Sequence, residues 1–228
     1  RVRVDERIAG AVESPPGQPG PPSPGGLFDC VSWDSMDTET LRGYLDDPAA
    51  AAPWLRTLGV VDTGRAHTNL VAMAVSGVTL DLLSVVVEQL AERLPGCADP
   101  DMALNNWERF VSALSSPQEH YRLLGAQPQR LQILLSIFAG SQFLADVLVL
   151  NPEFLDWVTS PHVLHGRMDV AAYRQALDEF AGAAAEGWLD AVRRFRRREI
   201  LRIGTRDSCL GLPVAGVTRD LSCLAEAV

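Results

Sequence analysis

Residues 131–150 read LQILLSIFAGSQFLADVLVL, and this stretch decides the fold. It is apolar nearly all the way round a helical projection, as helices at the centre of a bundle are. Gly140-Ser141 divides it into two helices, the serine serving as N-cap of the second, and Asn151-Pro152 supplies another N-cap with proline at the favoured first position. Upstream, Asp99 starts a helix on which Met102, Trp107, Phe110, Val111 and Leu114 recur at three- and four-residue steps. Ser115-Ser116-Pro117 closes that helix and opens the next, and Pro128 punctuates the chain again.

The same grammar extends to both sides. Thr79 caps a helix with Leu82, Leu83, Val86, Leu90 and Leu94 on one face, ended by Pro95-Gly96. Val85-Val86-Val87 favours strand by propensity, but the flanks LDLLS and EQLAER are helical and outvote it. Arg65 to Ser76 is helical with Gly77 as its stop; Asp37 or Thr38 caps a first helix through Leu45, and Pro48 or Pro53 opens the second. Downstream, Val170 to about Gly204 contains no proline and predicts one or two long helices, with Gly182 and Gly187 marking a bend or a close helix crossing. Gly211 and Pro213 separate a last amphipathic segment carrying Val217, Leu221, Leu224 and Val228. No run alternates as a strand does, so the expected class is all-α, a multi-helix bundle with short connections. Residues 1–26 read instead as a disordered Pro/Gly-rich leader, since AGAVESPPGQPGPPSPGG (9–26) cannot bury a core. The expected division is leader 1–26, N-terminal helices 27–96 and helical core 97–228.

Charge and composition narrow the chemistry. The net charge of −9 divides unevenly: residues 1–190 hold 12 Arg against 25 acids, and residues 191–228 hold 8 Arg against 4 acids. A generally acidic chain is a poor non-specific nucleic-acid binder. All 20 basic residues are arginine, which excludes a Walker lysine, a Schiff base or a Ser–Lys dyad within this stretch. Cys30, Cys97, Cys209 and Cys223 show no C-x-x-C spacing, and read as reduced structural thiols of a cytoplasmic protein. No stretch reaches the roughly 18 continuous apolar residues of a membrane helix. Arg1 is not a methionine and Val228 falls inside an apolar helical pattern, from which a piece of a longer protein is expected.

Candidate sites are few. His162-x-x-His165 lies beside Pro161 and Gly166 in an expected loop, with no further zinc ligands apparent. Nucleotidyl transfer needs a Gly-Ser turn followed by two carboxylates on a strand, so that two metal ions flank the phosphate. Gly140-Ser141 is followed only by Asp146 on a helix, and Asp99-Pro100-Asp101 has the D-x-D letters without the strand; capping explains both better. The most informative cluster is RRFRRREILRIGTRD (193–207), with seven arginines. On a helix Arg194, Arg198, Arg202 and Arg206 form one stripe, while Trp188, Val192, Phe195 and Ile203 form an apolar line whose gap is filled by Glu199. A carboxylate there is costly unless paired, and Arg196 and Arg202 flank it at three residues. The stripe is therefore either a surface for an acidic partner, phosphate or nucleotide, or a structural ion-pair helix.

Three segments together resemble the helical region of the glutamine-synthetase adenylyltransferase family: ALNNWERFVSALSSP (103–117), LLSIFAGSQFLADVLVLNPEFLDWV (134–158), and RRFRRREILRIGTRD followed by VTRDLSCLAEAV (193–228). The resemblance covers roughly residues 65–228. It implies a large cytoplasmic enzyme with two nucleotidyltransferase domains, one attaching AMP to glutamine synthetase and one removing it. ATP and Mg²⁺ would serve the full-length enzyme, and nitrogen status would arrive through the PII signal protein and glutamine. It also implies that the first catalytic domain begins shortly after a segment like 217–228. No catalytic, cofactor-binding or metal-binding residue is therefore expected here, and Arg194, Arg198, Glu199, Arg202 and Arg206 stand as candidates for a domain interface or partner contact. Cys223, where a polar residue is expected, and the loop at 210–215 depart from the family pattern. The alternative reading is a stand-alone helical protein-interaction module with no catalysis.

Overall fold

The computed structural model describes residues 36–74, 77–184 and 187–228. The proline-rich leader 1–26 and Cys30 lie outside the described residues. Among those residues every regular element is helical: α1 (Thr38–Asp46), α2 (Pro48–Thr57), α3 (Thr63–Ala74), α4 (Leu80–Arg93), α5 (Pro100–Ala113), α6 (Pro117–Ala126), α7 (Pro128–Gly140), α8 (Gln142–Leu150), α9 (Phe154–Val158), α10 (Pro161–His165), α11 (Val170–Ala183), α12 (Trp188–Leu210) and α13 (Val214–Ala227), with a 3-10 turn over Leu94–Gly96. The all-α expectation holds.

Most boundaries fall where side chains can satisfy the free N–H groups of a first turn. Asp37 accepts from Thr40 N, Asp47 from Ala49 N, Thr79 from Leu82 N, Asp99 from Met102 N, Ser141 from Leu144 N and Asp169 from Ala172 N. Five of the helices carry proline in their first turn just inside the cap, at Pro48, Pro100, Pro117, Pro128 and Pro161.

Helix α7 holds the centre, burying Leu131, Leu134, Leu135, Ile137, Phe138 and Ala139 against α4, α5, α6, α8 and α12. One apolar core runs from Leu41 in α1 to Leu201 in α12. A second, smaller core joins α11, α12 and α13 through Tyr173, Leu177, Phe195, Ile203 and Leu224. Within the first, Phe110 packs on Phe138 at 5.6 Å and edge-on with His120 at 5.2 Å. Burial and the nearby Arg130 charge push the His120 pKa down to about 3.

Several expectations are corrected. Asn151 does not cap α9: it ends α8, its backbone N–H bonding to Val147 O and Leu148 O and its side chain also donating to Val147 O at 3.0 Å. His162 and His165 lie on the short helix α10 rather than in a loop, because Ser160 O receives the N–H groups of Val163 and Leu164. Trp188, the first residue of α12, leaves its apolar line and is 56% exposed. On α13 Leu221 and Val228 face outward, and the inward row is Val217, Asp220 and Leu224. Gly187 does begin α12, but a Cβ on either Gly182 or Gly187 would meet nothing within 4 Å. The close crossing is at Gly204, where a Cβ would fall 2.6 Å from Leu144 Cδ1 on α8.

Two predictions follow from this packing. Gly204→Ala lowers stability by about 1 kcal/mol despite the better helix propensity of alanine, because Leu144 is buried and must shift, whereas Gly182→Ala raises it by about 0.5 kcal/mol; urea unfolding measures both. His120 is neutral in the native state down to about pH 3, while the unfolded chain takes up its proton near the ordinary value of 6.5. The unfolded state therefore binds more protons across that window, so stability falls as pH drops from about 6.5 toward 3, by a few kcal/mol in all. The pH slope of the unfolding midpoint between those limits should flatten in His120→Phe.

Candidate functional site

Helix α12 carries every candidate residue, and it touches α7, α8, α9, α10, α11 and α13. Glu199 is 1% exposed, Arg202 2% and Arg206 4%, so three of the five candidates point into the protein. Ion pairing keeps them there. Glu199 Oε1 accepts from Arg198 Nη2 at 2.9 Å and Glu199 Oε2 from Arg202 Nε at 2.8 Å. The expected partner Arg196 is instead exposed; Arg198, adjacent in sequence, folds back over Glu199 because aromatic rings hold it there. Its guanidinium lies 4.5 Å from the ring centres of both Trp157 and Phe180.

The rest of the network ties neighbouring elements to α12. Arg202 Nη1 donates to Gly166 O at 3.2 Å, and Arg202 Nη2 donates to the Tyr173 hydroxyl on α11. Burial, reinforced by the Glu199 and Asp220 charges and opposed by Arg202, pushes the Tyr173 phenol up to about 12, so it stays protonated. Arg206 Nε donates to Leu164 O on α10 at 2.7 Å, and its Nη1 pairs with Asp220 of α13, which is 5% exposed. Arg194, the most open of the stripe, pairs with Glu153 and lies 5.5 Å from the Phe154 ring centre. The stripe thus belongs to a buried network that joins α10, α11 and α13 to α12.

Sequence reasoning missed Asp220 and Tyr173. Asp220 interrupts the apolar spacing of α13 three residues after Val217 and four before Leu224, and a charge at that register position was the available signal.

Two further motif segments meet one another. Asn106, 1% exposed, donates to Phe138 O at 3.1 Å and accepts from Gln142 Nε2 at 2.9 Å. Arg109 Nη1 bonds Asn106 Oδ1 at 3.0 Å and Asp146 Oδ1 at 2.8 Å, and the Arg109 bond to Asp146, with one from Gln142, holds the Asp146 carboxyl below its usual range. The D-x-D letters are likewise occupied: Asp99 caps α5, and Asp101 accepts from the backbone N–H groups of Val61 and Asp62, both at 2.9 Å. Among the described residues no group of three or more His, Cys, Asp or Glu side chains is gathered as metal ligands would be, and no helix is long and apolar enough to cross a membrane.

Fold and site together define an all-helical scaffold whose basic helix is built into its interior. Residues 131–228, which span α7 to α13 and the whole α12 network, match the family described as glutamate-ammonia ligase adenylyltransferase. The chain is also similar to a bifunctional glutamine synthetase adenylyltransferase/adenylyl-removing enzyme of Thioalkalivibrio sulfidiphilus, 27% identical over 190 residues that make up 82% of this chain and 19% of that relative. Over residues 131–228 the chain is thus similar to that family, and it spans about a fifth of the length of the relative it matches.

Replacing Asp220 by Leu, or Arg206 by Met, leaves a buried charge without its partner and should cost about 3–5 kcal/mol. The double substitution Arg206→Met/Asp220→Leu should recover much of that loss, giving a large coupling energy in a urea-unfolding double-mutant cycle. Equal and additive losses would show that the pair contributes nothing specific.

Proposed function

We propose that this chain is the N-terminal helical part of a bifunctional enzyme that adenylylates and deadenylylates glutamine synthetase, and so regulates nitrogen assimilation. The observation that carries the reading is the family match over 131–228, which runs from within α7 through α13. In this reading 27–96 and 97–228 are successive helical parts, and the second leads into a nucleotidyltransferase domain that supplies the metal-binding carboxylates. ATP and Mg²⁺ act there, in the cytoplasm, and PII relays nitrogen status to the whole enzyme.

The contribution of this part is to hold a shape against which that domain and glutamine synthetase are oriented. The buried network supports such a role, because it fixes α12 against three neighbours by directional bonds. The face of α12 left open carries Arg193, Arg196 and Arg197, beside the exposed Trp188 and Leu189. That is the side of the helix available to the catalytic sheet or to a partner.

Incubating glutamine synthetase with Mg²⁺ and ATP labelled at the α-phosphate tests the reading. Label should transfer with the product of the full reading frame that contains this chain, and not with the 228-residue chain alone. Transfer by the chain alone, or none by the longer product, overturns it.

A further inference from the structure

Helix α12 treats charge in opposite ways on its two faces. On the inward face Arg202 and Arg206 are buried, their donors spent on Glu199, Asp220, Tyr173 and backbone carbonyls. On the outward face Leu189, Arg193, Arg196 and Arg197 recur at three- and four-residue steps, all of them exposed. Arg193 pairs with Asp190 at 2.8 Å, but both side chains are 68% open to solvent, and an exposed pair of this kind holds its arginine only weakly. Among the described residues neither Arg196 nor Arg197 pairs with an acid. The next acid on this face is Asp207, about 15 Å along the helix from Arg197 and so beyond the screening distance of about 8 Å at physiological ionic strength. Three guanidinium groups against one carboxylate leave this face positive, on a chain that is acidic over residues 1–190.

The face is rigid and has something to bury. One step beyond Arg196 and Arg197, Ile200 packs against both apolar cores, and the inward network fixes the helix from behind. The guanidinium groups are therefore carried on a backbone that has no ordering left to do when a partner arrives. Trp188 and Leu189, 56% and 66% exposed, stand at the amino end of the same face. Tryptophan and arginine are the side chains that most often dominate the binding energy of protein interfaces.

Charge of this kind chooses between the partners open to the helix. A positive rim raises the rate of diffusional encounter with an acidic surface and discriminates against basic ones. A domain tethered to the same polypeptide is already present at high effective concentration and gains nothing from faster encounter. The feature serves a separate protein that binds and leaves. In the adenylyl-transfer reading, glutamine synthetase is the protein that must do so at every turnover.

We propose that the outward face of α12 is the docking site for an acidic surface of glutamine synthetase, steered by Arg193, Arg196 and Arg197 and anchored by Trp188 and Leu189. The proposal rests on the adenylyl-transfer reading and deepens it by naming the surface that meets the protein substrate.

Steady-state transfer of labelled AMP to glutamine synthetase, by the product of the full reading frame, tests it by separating KM from kcat. Arg196→Glu/Arg197→Glu should raise the KM for glutamine synthetase about tenfold, leave kcat within about twofold, and flatten the fall of kcat/KM with added salt. Arg196→Lys/Arg197→Lys, which keeps the charge, should hold KM within about threefold of the unmodified protein, whereas Trp188→Ala should raise it severalfold with the salt dependence intact. All three positions are exposed, so circular dichroism of the variants stays native. No transfer by the unmodified product overturns the adenylyl-transfer reading and this inference with it. Transfer by the unmodified product, with KM and salt dependence unchanged in the folded Arg196→Glu/Arg197→Glu variant, overturns the docking site alone. So does a loss confined to kcat, which assigns the face to the catalytic domain, or a loss confined to the response to PII.

Discussion

Glu199 is a carboxylate on the apolar face of a helix, inside the protein, and the architecture of the last third depends on how its charge is met. Burying an ion alone is prohibitive, and burying a pair succeeds only when the remaining donors and acceptors find partners too. Arg198 and Arg202 meet Glu199 from either side. Arg202 must then place its other donors, and does so on Gly166 O and Tyr173. One turn on, Arg206 repeats the solution with Leu164 O and Asp220. Each step recruits a different element, so two buried acids, Glu199 and Asp220, and the arginines that meet them tie α10, α11 and α13 to α12. Apolar packing in this region is modest, five buried side chains in the second core, and directional bonds supply the register that a small core would leave loose.

The polar junction at α5 and α8 works by the same logic in the larger core. Asn106 is buried beside Phe138, and its amide is saturated by a backbone carbonyl, a glutamine and an arginine. Apolar contact alone would let α5 slide along α7 by a turn at little cost, because leucine-rich surfaces tolerate repacking. A buried amide with fixed partners does not. Asp146, the carboxylate that follows the Gly-Ser turn in a linear reading, is engaged in this alignment.

Helix existence and most boundaries were legible in the sequence because capping and proline placement are local: Asp37, Thr79, Asp99, Ser141 and Asp169 act within three residues of themselves. The centrality of α7 was legible as well, since apolarity on every face has few other outcomes. What escaped was long-range. Whether Glu199 takes Arg196 or Arg198 is decided by where Trp157 and Phe180 stand, and neither is near it in sequence. Leu221 seemed to share the inward face of α13 until Asp220, drawn in by an arginine fourteen residues away, turned the helix by about one position. Gly204 gave no sign beyond being a glycine, because the side chain it makes room for, Leu144, lies sixty residues earlier.

The two charge regimes of the chain acquire a physical sense from this arrangement. The excess of arginine after residue 190 suggested a basic surface, yet Arg202 and Arg206 are buried and Arg194 and Arg198 are engaged by Glu153, Glu199 and aromatic rings. Of the seven arginines in 193–207, Arg193, Arg196 and Arg197 remain exposed, and Arg193 already pairs with Asp190. A partner that reads this helix electrostatically therefore meets a short patch rather than a three-turn stripe. Since exposed guanidinium groups are screened within about 10 Å at ordinary ionic strength, such a patch can orient a neighbouring surface but contributes little affinity by itself. The neighbouring apolar pair, Trp188 and Leu189, is exposed over more than half its surface and is the part of α12 with area left to bury.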